Sequence, residues 1–339
     1  MKFKLNFILF LTILFMPSFV TEANESVVPY SIEAVIPNNQ VDQGSTYFDI
    51  EMEKGETQKL EVVVYNSSDE PITIEAQANS ATTNSNGLII YDAVDLVPHD
   101  SMSHPFAEIA TIAEYKIEIE PQSQETVTIT VEAPDESFDG LILGGLYFSQ
   151  EADESEEDSG VQIQNQYSYA LAVQIREAGN DNDVEPELDL LSLEAGLINH
   201  RTGLQTSFVN TAPTIIGGLE FTGDVYAEGS EEPLYTRTVK DFNIAPNSEF
   251  NFPVMFENQG LEAGDYVFKG TASNGDHEWS FEEMFTIEAE AAEEANDEAV
   301  EIEEEEIENE WMMPVLIGLG VLVVLLLVTI IYLLVKRRK

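Results

Sequence analysis

Two antiparallel β-sandwich domains, an acidic stalk and one C-terminal transmembrane helix are what this sequence predicts, on three observations. Apolar residues recur with period two through most of the chain. Clusters of Asn, Gly, Pro and Ser interrupt that alternation at short intervals. Between the signal segment and the acidic stalk, no stretch sustains a helical apolar face. Period two sends successive side chains to opposite faces of a strand, so each run buries one face and solvates the other. Two sheets closed through their apolar faces make a sandwich, here immunoglobulin-like in its many short strands and turns.

From the N-terminus, Met1-Lys2-Phe3-Lys4 and the apolar run Leu5 to Val20, followed by Thr21-Glu22-Ala23, read as a signal peptide over residues 1–23. The first sandwich, residues 24–177, shows alternation at Leu60, Val62 and Val64, at Ile72, Ile74 and Ala76, at Val127, Ile129 and Val131, and from Tyr167 to Ile175. Turns are expected at Asn66-Ser67-Ser68-Asp69-Glu70-Pro71 and Pro121-Gln122-Ser123, and the acidic stretch Glu151 to Gly160 is expected as a surface loop. Residues 178–186 lack periodicity and apolar anchors, so they read as a linker between domains that fold separately. The second sandwich, residues 187–288, repeats the style and closes with a hairpin at Asn274-Gly275. Residues 289–311 form the stalk, rod-like or extended: Glu288 to Glu310 holds 13 acidic residues in 23, and like charges at i,i+4 oppose the helix that Ala and Glu favour. Residues 312–335 are the membrane span, because Pro314 to Val335 carries no charge over 22 residues and a helix of that length crosses about 30 Å of hydrocarbon. Lys336-Arg337-Arg338-Lys339 then hold the C-terminus, residues 336–339, in the cytoplasm.

Charge excludes partners as firmly as pattern predicts fold. The chain carries 14 Lys and Arg against 64 Asp and Glu, net −50, so it repels nucleic-acid phosphates. Setting aside the terminal segments leaves 8 basic against 63 acidic residues outside the membrane, about −55. With no cysteine, disulfide scaffolds, zinc–thiolate sites and cysteine nucleophiles are excluded. A cysteine-free exported region with a cleaved signal and a C-terminal anchor suits the surface of a Gram-positive bacterium, with its domains facing the wall.

Catalytic chemistry has little to draw on. There are four histidines, no Gly-x-Ser-x-Gly and no His-Glu-x-x-His, so no enzyme is expected. His99, Asp100 and His104 could ligate a metal but read better as surface residues, and no cofactor is expected. Asp181, Asp183 and Glu185 could hold calcium weakly at the surface, without the glycine-punctuated loop of a dedicated site. Amides beside aromatic rings remain: Asn38, Asn39 and Gln40 leading to Tyr47, and Asn84 and Asn86 leading to Tyr91. Such groups donate, accept and stack, which suits a sugar or peptide ligand. Equally, they can shape turns and fill core.

Several spaced motifs resemble one family. Pro37-Asn38-Asn39-Gln40, Tyr47-Phe48-Asp49, Ala81-Thr82-Thr83-Asn84 with Gly87 and Tyr91, Asp139-Gly140 before Gly144-Gly145, and Tyr169 are similar to the first domain of WxL-interacting proteins. Ala245-Pro246-Asn247-Ser248-Glu249-Phe250, Ala263-Gly264-Asp265-Tyr266 and Trp279-Ser280-Phe281 are similar to that family's second domain. The resemblance implies a peptidoglycan-binding domain followed by a host-binding domain on a membrane-anchored protein. Its implied partners are peptidoglycan, WxL-domain surface proteins and host extracellular matrix. The expectation is therefore a non-enzymatic surface adhesion protein, with a purely structural scaffold, or a wall-glycan hydrolase, as the alternatives.

Overall fold

The computed structural model describes residues 28–151, 167–180, 183–257 and 259–300. The signal segment, the membrane span, the basic tail, most of the acidic insert and Asp181 lie outside the described residues. Among the described residues no helix is long and apolar enough to cross a membrane.

In chain order the elements are β1 (Tyr30–Val35), β2 (Phe48–Met52), β3 (Thr57–Asn66), β4 (Ile72–Ser80), β5 (Thr82–Thr83), β6 (Ile89–Ile90), α1 (Phe106–Ile109), β7 (Ala110–Ile112), β8 (Lys116–Ile119), β9 (Gln124–Glu132), β10 (Ile142–Gln150) and β11 (Ser168–Glu177). They build the first sandwich. One sheet runs β1-β3-β9-β7 and the other β2-β11-β10-β4-β8, with β5 and β6 forming a small hairpin beyond β4. Alternation sets the core as expected: Leu60 faces Ile129 and Val62 faces Val127 across β3 and β9, and all four are buried. Phe48, Ile74, Leu146, Phe148 and Val173 close the layer from the opposite sheet. Each such side chain contributes about 1.5–3 kcal/mol relative to exposure. One pairing departs from the antiparallel expectation. β2 lies parallel to β11, with Phe48 opposite Val173. The chain crosses between sheets after β1, so β2 joins the edge in the direction β11 already runs.

The second sandwich contains β12 (Leu188–Ile198), β13 (Arg201–Asn210), β14 (Ile216–Ala227), β15 (Tyr235–Ile244), β16 (Ser248–Asn251), β17 (Val254–Met255), β18 (Gly264–Ser273) and β19 (Glu278–Ile287), followed by α2 (Ala289–Glu298). Its sheets run β12-β13-β16 and β15-β14-β18-β19, with β17 added to β13. Phenylalanines dominate the core; Phe208 meets Phe221 edge-on at 5.0 Å and stacks on Phe250 at 5.6 Å.

Two expectations change. The stalk does not begin at residue 289, because α2 belongs to the second sandwich. Ala292 and Ala295, one turn apart, are buried against the domain, and the Asn296 amide both donates to and accepts from the Leu261 backbone at 2.9 and 2.7 Å. Three small side chains on one helix face overcome the like charges on the other. The domains also touch, although the linker contributes no apolar anchor. Ala81, Leu143 and Ala245 form a buried cluster with Ile89, Tyr91, Leu141 and Ile215 packed round it, drawn from both sandwiches. The Ala245 amide donates to the Thr83 hydroxyl at 2.8 Å and the Asn243 amide to the Gly87 carbonyl at 2.8 Å. Arg237 donates to the Ser85 carbonyl at 2.6 Å while its guanidinium lies 4.5 Å from the Phe252 ring centroid. Burial lowers the Arg237 pKa, yet an arginine stays charged at any working pH.

A carboxylate near the end of β11 gives this region a pH dependence. Glu177 accepts from the Ser137 hydroxyl at 2.8 Å and the Phe138 amide at 2.8 Å, and these bonds hold its pKa below the ordinary glutamate value of about 4.5. Its folded pKa therefore lies below its unfolded one. The stabilisation is present above about 4.5 and is lost as pH falls through the folded value. Glu177→Gln is expected to flatten the stability-against-pH curve of the protein below that point, measured by denaturant titration. An unchanged acid limb would refute the assignment.

Candidate functional site

The amides singled out in the sequence divide into two places, with β11 and β10 lying between β2 and β4 in the sheet. Ahead of β2, residues 36–47 are turns and bends joined to it by one isolated bridge, Gln40 to Ile50. The Asn39 amide donates to the Glu51 carbonyl at 2.7 Å and exchanges bonds with the Gln58 amide at 2.8 and 2.9 Å. Gln40 is buried; it donates to the Tyr47 carbonyl at 2.8 Å and accepts from the Asp49 amide at 3.1 Å. Both amides are spent on holding the crossing between sheets. Asn38 is exposed beside an open groove of about 810 Å³ that includes Glu51, Glu53 and Glu56.

At the other place, Asn84 closes the β5–β6 hairpin, its side-chain oxygen accepting from the Asn86 and Leu88 amides at 2.9 and 3.1 Å. Asn86 accepts from Arg237 at 3.2 Å, at the domain junction. The fold-shaping role therefore accounts for Asn39, Gln40 and Asn84.

Tyr47 and Tyr91, in contrast, share a surface. Inward residues of β10 are Ile142, Leu146 and Phe148, so Leu143, Gly145 and Tyr147 face outward. Across the sheet Gly145 stands opposite Ala172 on one side and Asn79 on the other, and Tyr47 directly precedes β2, whose first residue Phe48 pairs with Val173 next to Ala172. The Tyr91 ring lies directly over Gly145, where an added Cβ would fall 2.4 Å from ring carbon Cγ. No other residue admits that approach. The Asn79 amide fixes the loop by donating to the Tyr91 carbonyl at 2.8 Å. Burial, and secondarily the Tyr47 phenol, raise the Tyr91 pKa above the usual tyrosine value, so its hydroxyl remains a neutral donor.

One row further along, Gln77, Tyr147 and Ala170 stand side by side. Gln77 and Tyr147 are half-buried and Ala170 is exposed. The charges that border these rows are paired: Arg176 with Asp49 near the linker, and Lys116 with Glu75 and Glu151 at the far end. Sequence reading found Tyr47 and Tyr91 but missed Gln77, Asn79 and Tyr147. The last three look like ordinary strand residues until register places them together.

A second concavity, about 500 Å³, opens between the sandwiches beside Met102, His104, Phe138, Pro213 and Pro246. His104 lies edge-on to Phe138 at 6.1 Å, and His99 Nδ1 is 2.9 Å from the Ser101 hydroxyl. No group of three histidine, aspartate or glutamate side chains able to hold a metal occurs among the described residues.

Residues 30–150 match the family model described as WxL Interacting Protein, peptidoglycan binding domain, and residues 158–297 match WxL Interacting Protein, host binding domain. The second match begins ahead of β11, although β11 is a strand of the first sandwich, and it runs through α2. No curated protein matches the chain significantly. Solved structures that resemble it include the YadV chaperone, at 13% identity over 77% of this chain and 100% of that one, with a TM-score of 0.30. Another is the CsuC–CsuE chaperone–tip adhesion subunit complex of Acinetobacter baumannii, at 10% identity over 75% and 98%, TM-score 0.33. A PapD-like domain of human CEP192 matches at 9% identity over 48% and 97%, TM-score 0.28.

Proposed function

This chain belongs to the WxL-interacting protein family, and from that premise we propose that it is a non-enzymatic adhesion protein of a Gram-positive cell surface. The first sandwich attaches to peptidoglycan, the second presents a face to host extracellular matrix, and WxL-domain proteins join the assembly. The observation that carries this reading is the tandem order, a peptidoglycan-binding domain at 30–150 followed by a host-binding domain at 158–297. A C-terminal span with its basic tail would hold both domains outside the membrane, and no cofactor is required. Weak surface calcium, at most, would screen the acidic exterior. Purified residues 24–310 incubated with insoluble peptidoglycan should co-sediment without releasing soluble fragments. Released fragments would instead mark a hydrolase. Failure to sediment, with WxL-domain proteins still captured from a surface extract, would mark a scaffold that touches protein alone.

A further inference from the structure

Resting on the peptidoglycan-binding reading, we propose that the outer face of the β2-β11-β10-β4-β8 sheet is the binding surface of the first sandwich. Its ligand is the neutral N-acetylated glycan strand of the wall polymer, not its charged peptides or anionic companions. In a chain of net −50, the adjoining rows Ala172–Gly145–Asn79 and Ala170–Tyr147–Gln77, with Tyr47 just ahead of β2, carry no ionisable carboxylate or amine. At one end Arg176 pairs with Asp49, and at the other Lys116 lies between Glu75 and Glu151, so the charges that flank the rows are engaged within the protein. A cationic peptide would find stronger attraction almost anywhere else on this surface, and an anionic polymer would be repelled by the surroundings. An uncharged ligand loses nothing by choosing these rows.

The chemistry of the rows fits a sugar. Gly145, Ala170 and Ala172 make a low floor from which the rings of Tyr47, Tyr91 and Tyr147 rise, and Tyr91 is held in place by its approach to Gly145. Tyrosine offers an apolar ring face to sugar C–H groups and a hydroxyl at its edge, at little cost in side-chain entropy. Gln77 adds an unmet acceptor. Its Oε1 is buried and has no hydrogen-bond partner among the described residues. Buried acceptors are ordinarily satisfied, so an orphan on this face calls for a donor such as an acetamido N–H or a sugar hydroxyl. Tyr47, Gln77, Asn79, Tyr91 and Tyr147 all fall inside the 30–150 match to the peptidoglycan-binding family.

The test uses the full chain in mild detergent, with insoluble peptidoglycan as one probe and soluble chitotetraose, a neutral N-acetylglucosamine tetramer, as the other. Wild-type protein is expected to sediment with peptidoglycan and to be displaced by chitotetraose. Tyr47→Ser combined with Tyr147→Ser should weaken both interactions by about tenfold or more. Tyr47→Phe with Tyr147→Phe, which keeps the rings, should retain most binding. Should the serine pair fail to fold, Ala170→Arg places a bulky charge at an exposed position of the same face and should block binding at an unchanged melting temperature. If wild-type protein does not sediment at all, the peptidoglycan reading itself fails. If it sediments but chitotetraose does not compete, or Ala170→Arg binds normally, the reading stands and this surface is overturned.

Discussion

Asn66→Ala is expected to destabilise the first sandwich by about 3 kcal/mol, lowering its melting temperature by roughly 6–12 °C. Asn66 is only 2% exposed at the end of β3. Its amide donates to the carbonyls of Glu70, Ile119 and Glu120 at 2.8, 3.0 and 3.1 Å, and its oxygen accepts from the Ser68 amide and hydroxyl at 2.9 and 2.7 Å. One side chain thereby closes the turn to β4 and ties it to the end of β8. Alanine would leave several of these groups unmet in a place water reaches poorly. Asn66→Asp separates this account from simple loss of volume. A carboxylate facing three carbonyl oxygens should be at least as damaging at neutral pH. Its folded pKa would be raised, so the variant should regain stability as pH falls and the acid becomes a donor. Asn210, fully buried at the end of β13, does the same in the second sandwich. It donates to Thr214 and Ala245 at 2.8 and 3.0 Å and accepts from the Ala212 amide at 3.1 Å. Asn210→Ala should match Asn66→Ala in size. Loss of less than about 1 kcal/mol from either would show that backbone bonds alone hold these turns.

Gly140→Ala should part the two domains while leaving each core intact. Gly140 has φ +69°, and a Cβ there would lie 2.1 Å from the Pro213 carbonyl oxygen of the second sandwich. That same oxygen accepts from the Leu141 amide at 2.9 Å. Any side chain therefore meets both left-handed strain of about 1–2 kcal/mol and an overlap with backbone that cannot rotate aside. The chain can escape only by opening the contact, which also exposes Ala81, Leu143 and Ala245. Calorimetry of the wild type is expected to show the sandwiches melting together, and of the variant to show two separated transitions with faster proteolysis across 178–186. Gly196→Ala, where nothing lies within 4 Å of the added carbon, is the matched control and should melt like the wild type. A single unshifted transition in Gly140→Ala would mean that the junction contributes nothing to cooperativity.

These two predictions fall on residues of kinds that sequence reading treats alike. Asn66 and Asn84 both stand in turn-rich strings, and Asn38 and Asn39 are adjacent, yet Asn39 is bonded on both amide atoms while Asn38 is exposed. Composition shows that amides are present, not which of them the backbone consumes. The expected convergence of Asn38 to Gln40 with Asn84 and Asn86 meets the same limit: both segments are turn-like, but two strands separate β2 from β4.

By itself the sequence determined the β character of the chain, the inward residues of strands such as β3, β4, β9 and β11, the acidic exterior and the family. Those properties follow from local periodicity and composition, which the chain carries whatever its neighbours are. Tertiary structure alone decided the parallel pairing of β2 with β11, the docking of α2, the junction across Gly140 and Pro213, and the uncharged tyrosine face over Gly145. Each depends on partners far apart in the chain, as in the bond between Thr83 and Ala245, 162 residues away. Alternation says which face of a strand is buried but not which strand lies beside it, and every one of these features is a statement about neighbours.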